Sequence, residues 1–230
     1  MADTSRVLEI GFLPLFVNEV AGFSAEEHVS PVFWWTGDRE QDPWEWREII
    51  ASERRVAYGK FFDGRAGFIS PDWLPFFANA RRNGYDFDGK WQSGAASRRE
   101  KAIMAFFMDV ESDDEPVFTG AEWLSTELKK QAGFGKGGEK NYSGIVTGLQ
   151  MQLYLVIAGF RRRENRRGGA YGMPVSVLAA PESLWGYEKL SSAYDEDPAE
   201  SWSRVYDHIR SLYPHADDAA VRRLAGRMPR

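Results

Sequence analysis

The chain contains no cysteine among its 230 residues. That absence removes disulfides, thiolate nucleophiles and Cys-ligated zinc together. Histidine is almost as scarce: His28, His208 and His215 are scattered along the chain and do not read as a ligand cluster. Neither a metal nor a cofactor is therefore expected. Long apolar runs are missing as well. The stretch from Ile10 to Val17 is far too short to span a bilayer and has no basic flank of signal-peptide type. These features predict a cytoplasmic protein with no membrane partner. Internal repeats and low-complexity segments are also absent.

Aromatic surface and locally concentrated positive charge stand in excess. Aromatic residues make up 14% of the chain, nine of them Trp. Some rings are thus expected at the surface, where they mark stacking or binding sites, beside an aromatic-rich core. From Thr119 to Ala170 there are nine Lys or Arg against four Asp or Glu, a balance of +5 in a chain whose total is −5. A distribution so polarised says where an anionic partner would sit.

Local signals predict the elements. Asp42 caps a helix opened by Pro43. Val56 to Phe62 and Arg65 to Ser70 flank Asp63-Gly64, the residue pair that suits a two-residue hairpin turn. Pro71-Asp72-Trp73 opens a helix that stops at Arg81-Arg82-Asn83-Gly84. Residues 85–96 read as a connection. Ser97 and Glu100 form a capping box for a first helix, and Thr119 with Glu122 predicts a second that ends at Gly133. The apolar stripe Ile145, Leu149, Leu153, Val156, Phe160 predicts a third helix over 141–160. A basic ribbon at Arg161 to Arg167 and a strand near Val175 to Leu178 follow, then helices around 202–212 and 219–228. The acidic loop Asp109 to Glu115 reads as solvated. Three helices followed by a ribbon predict an α+β fold, a winged helix-turn-helix with an N-terminal helix and β-hairpin region and a C-terminal helical tail. The expected boundaries are 1–96, 97–185 and 186–230.

Gly133 to Lys140 contains a G-x-G-x-x-G, but a helix precedes it where dinucleotide binding needs a strand. It lacks the Lys-Ser/Thr pair of a P-loop. What remains is a turn whose Lys136 and Lys140 can reach phosphate, or a plain connector. Five Arg in seven residues (Arg161, Arg162, Arg163, Arg166, Arg167) beside Gly168-Gly169 suit phosphate contacts or minor-groove insertion, or else form a solvated loop. Tyr171 stacks on a base or packs on the third helix. Gln150 and Gln152 would lie on opposite sides of that helix's apolar stripe. They converge only if the helix breaks there, or else each meets a different object.

Thr126 to Lys130, Gly133 to Lys140, Leu149-Gln150-Met151-Gln152, Asp42 to Arg47 and Tyr58 to Phe62 together resemble bacterial proteins related to the alkylpurine DNA glycosylase of the winged-helix (AlkZ-like) family. The resemblance spans most of the chain. It implies double-stranded, alkylated DNA as partner and a place in DNA repair. It also implies a glutamine–apolar–glutamine motif, here Gln150 and Gln152, that positions water against the N-glycosidic bond of a damaged purine. Alkylation makes the purine a ready leaving group, so neutral amides that orient water suffice. Two other readings stand beside this one. The first is a non-catalytic DNA-binding or regulatory protein using the same face. The second is a ligand or protein-interaction module lined by Trp34, Trp35, Trp44, Trp46 and Trp73, toward which the negative net charge leans.

Overall fold

A computed structural model describes residues 4–112, 115–164 and 170–229. The chain opens with α1 (Ser5–Ile10) and β1 (Phe12–Pro14) and then crosses a long irregular stretch to α2 (Pro43–Glu53). Strands β2 (Ala57–Phe62) and β3 (Arg65–Ile69) form the expected hairpin. Asp63 and Gly64 sit at φ +51° and +73°, the left-handed pair that a twisted hairpin requires. With β1 they make an antiparallel sheet in the order β1-β3-β2. Helix α3 (Leu74–Arg82) ends at Asn83, which adopts a left-handed conformation.

Residues 85–96 are not a plain connection, because α4 (Phe87–Gln92) lies within them. Helix α5 (Arg98–Met104) carries the predicted capping box, with the Ser97 N–H donating to Glu100 at 2.7 Å and the Glu100 N–H returning to the Ser97 hydroxyl at 3.2 Å. The helix predicted from Thr119 starts later. Trp123 and Leu124 form β4 (Trp123–Leu124) opposite Leu178 and Val177, and only then does α6 (Ser125–Gln131) begin. Glu122, expected in the capping box, instead pairs with Arg54 at 2.7 Å. Cross-strand pairing has here overridden a local capping signature.

The larger correction concerns the third helix. Helix α7 (Tyr142–Met151) stops nine residues early, and Val156 to Phe160 belong to β5 (Val156–Glu164). Leu153 turns the chain at φ +60°, and the N–H of Tyr154 closes the turn on the Leu149 carbonyl at 2.9 Å. Beyond the turn, β-branched Val156 and Ile157 favour the pleated backbone. Strand β5 pairs antiparallel with β6 (Ala170–Ala179), from Val156↔Ala179 out to Glu164↔Ala170, giving a second sheet in the order β4-β6-β5. The elements α5, β4, α6, α7, β5 and β6 therefore follow one another around that sheet. Helices α8 (Pro181–Trp185), α9 (Tyr187–Ser191), α10 (Pro198–Leu212) and α11 (Asp218–Ala225) complete the chain.

Buried apolar residues fall into two clusters. One joins Phe12, Phe23, Phe62 and Phe77 to Trp202, Val205, Ile209 and Leu224 from the far end of the chain. The other gathers Phe87, Ile103, Phe107, Leu128, Leu149 and Leu178. Two arginines, Arg82 buried and Arg81 partly so, tie elements across the fold. Arg81 donates to the carbonyls of Phe61, Met151 and Leu224, and burial draws its guanidinium down to about 9. Arg82 reaches Glu182 at 2.6 Å, the Tyr194 hydroxyl at 3.0 Å and the Leu153 carbonyl at 2.5 Å. Burial alone would lower its pKa, but Glu182, Tyr194, Tyr154 and Asp86 hold it charged. The turn that converts α7 into β5 is thus fastened to a buried ion pair.

Candidate functional site

The ribbon leaves the body along α2. Phe160 and Arg162 lie two apart on β5 and so share a face. The Arg47 guanidinium is sandwiched there, 3.7 Å from the Trp44 ring and 4.4 Å from the Phe160 ring. Arg162 itself reaches Glu45 at 3.5 Å, its side chain still 46% exposed. A pair this long to an arginine this exposed contributes little, about 0–1 kcal/mol, so the arginine stays available to an anion. Arg161 is exposed. Arg163 is placed by its backbone pairing with Tyr171 across the ribbon. Arg166 and Arg167 lie outside the described residues.

Lys136 and Lys140 are both exposed on the turn between α6 and α7. Phe134 is buried and anchors that turn, while Gly133, Gly135 and Gly137 all take positive φ. The N–H of Glu139 donates to the Gly133 carbonyl at 2.9 Å, and the Glu139 carboxylate holds Arg99 at 2.7 Å. Along the chain, helix α7, about 15 Å long at 1.5 Å per residue, and the turn at Leu153 lie between these lysines and the arginines of β5.

Gln150 and Gln152 go to different places. Gln150 is buried, its carbonyl accepting the Lys60 backbone N–H at 3.0 Å and its amide donating to the Val146 carbonyl at 3.4 Å. It is a tie between α7 and β2. Gln152 lies just past the end of α7, half-buried, and accepts from the Lys90 ammonium at 2.8 Å. Lys90 also holds Glu100 at 2.8 Å. Burial would raise the Glu100 carboxyl, but hydrogen bonds from Lys90 and the Ser97 N–H outweigh it and hold the group below its ordinary value. Sequence reasoning missed Lys90, which carries no motif, and found Glu100 only as a cap. Among the described residues no group of three or more His, Asp or Glu is placed to hold a metal. No described helix is long and apolar enough to cross a membrane.

The five Trp of the pocket reading do not all meet. Trp34, Trp35 and Trp44 cluster with Phe16. Trp46 lines a separate cavity of about 220 Å³ with Val7, Leu13, Leu15 and Phe68. Trp73 packs on Phe12 and His208.

Residues 4–226 match the model of a family described as AlkZ related. No curated protein and no solved structure matches the chain.

Proposed function

We propose a DNA-handling role for this chain, which belongs to the AlkZ-related family. It is read as a winged-helix protein that grips duplex DNA through its arginine ribbon and its lysine turn. The observation that carries the reading is the order α5, β4, α6, α7, β5, β6 around a sheet of order β4-β6-β5, with Arg161 and Arg162 exposed where the outermost pair of strands leaves the body. That order is compatible with a winged helix, in which the exposed arginines would sit on the wing. Both groups of cations would then meet phosphates of the backbone.

Binding of this kind releases counterions, so the affinity for duplex DNA falls with salt by about 0.9 log unit per phosphate contacted for each log unit of salt. Arg161→Ala with Arg162→Ala is expected to lower that slope by about two contacts. A protein that shows no affinity for duplex DNA even at low salt ends the proposal.

Hydrolysis of the N-glycosidic bond of an alkylated purine is the reaction open to such a protein. Gln152 is the less buried of the two glutamines; its amide accepts from Lys90 beside Glu100 and donates to the Gly148 carbonyl at 3.0 Å. A second reading is a non-catalytic DNA binder, favoured by the fact that Gln150 has both ends of its amide engaged with backbone. Release of methylated purine from alkylated DNA separates the two. Release that is lost in Gln152→Ala supports the enzyme. Release that is undiminished in Gln150→Ala and Gln152→Ala removes both residues from the chemistry, and no release from the wild type leaves the binder.

A further inference from the structure

Trp35 is 64% exposed and sits at φ +64°, a conformation in which a bulky side chain is strained. Its ring is not adrift. It leans on Trp44 with centroids 4.5 Å apart, Trp44 backs onto the Arg47 guanidinium at 3.7 Å, and Arg47 backs onto Phe160 of the ribbon. An exposed indole thus ends a stack rooted in β5.

The turn that presents the indole is fixed by one carboxylate. Asp42, fully buried, accepts the Gly37 N–H at 2.9 Å on one oxygen and the Trp44 N–H at 2.8 Å on the other. One side chain therefore caps α2 and sets Trp35 against Trp44. The rim of the stack carries both signs of charge. Arg162 reaches Glu45, and burial raises the Glu48 carboxyl against the pull of Arg47, Arg162 and Arg39. Exposed Arg161 is adjacent on the strand, and exposed Asp38 lies on the Trp35 turn.

A flat, solvent-facing indole beside guanidinium groups matches one chemistry well: a nucleobase free to stack, carried on a phosphate backbone. The geometry points to Trp35 as a stacking platform for an unpaired base, next to the phosphate-binding ribbon. A fully paired duplex keeps its base faces covered and offers this ring nothing. Resting on the DNA-handling reading above, the inference specifies its substrate as DNA with a base out of its stack.

The test compares three fluorescein-labelled probes on the full chain by anisotropy: a paired duplex, the same duplex with a single unpaired thymidine, and oligo-dT. The wild type is expected to prefer the two probes with free bases. Trp35→Ala is expected to weaken those two by about tenfold, the scale of one stacked base, and to leave the paired duplex unchanged. Trp35→Phe keeps a ring and is expected to retain most of the preference. Salt-dependent duplex binding with all three probes unaffected by Trp35→Ala, or weakened alike, overturns the platform while the DNA-handling role stands. Absence of binding to every probe at low salt overturns both.

Discussion

At the scale of single residues, polar groups set the geometry, and their hydrogen bonds make definite forecasts. The Asp42 carboxyl would be raised by burial, but the N–H groups of Gly37, Trp44, Trp35 and Thr36 outweigh that and hold it below its ordinary value. A carboxylate depressed on folding contributes stability that is complete above its unfolded pKa and disappears as pH falls through its folded one. Asp42→Asn is therefore expected to lower the thermal midpoint at neutral pH, and the gap from wild type is expected to close in strong acid. A gap that stays constant with pH would contradict the role. Gln150→Ala leaves the Lys60 N–H without its acceptor, so a loss of about 0.5–1.5 kcal/mol in denaturant melts is expected. Asp42 was legible as a cap from the Pro43 that follows it. Its hold on Gly37 was not, because a turn that folds back over five residues leaves no periodic trace.

Elements were legible where local chemistry was decisive and illegible where a distant partner decided. The Asp63-Gly64 hairpin and the Ser97 capping box needed nothing beyond their own residues. Strand β4 was hidden because only Leu178 and Val177, over fifty residues on, make Trp123 and Leu124 a strand. The end of α7 was hidden for a related reason. No Gly or Pro marks the turn between Met151 and Val156, and the turn at Leu153 is held by Arg82 from another helix. This sets an expectation for Arg82→Met, which leaves Glu182 buried and unpaired and is forecast to cost about 3–5 kcal/mol. Equilibrium unfolding would show it, and a loss within experimental error would mean that the pair contributes nothing to the turn.

For the whole molecule, the two ends of the chain share a core. Helix α10 lies on α3, Trp202 donates to the Gly226 carbonyl at 2.8 Å, and Asn79 holds the Ala193 carbonyl at 2.8 Å. The C-terminal helices were readable from their own periodicity, yet nothing in that periodicity names a partner more than a hundred residues earlier. Truncation before Pro198 is expected to abolish the cooperative thermal transition, because Phe77 and its neighbours would lose the apolar face of α10. A shortened chain that still melts sharply would show that the N-terminal half is autonomous. The fastening of Leu153 to Arg82 has one more consequence. A ribbon hinged on soft loop would yield to whatever it grips, but this one begins at a backbone carbonyl bolted into the interior. Load on the base of the ribbon is therefore passed to α3 and α8, so the described part of β5 is anchored stiffly at its start.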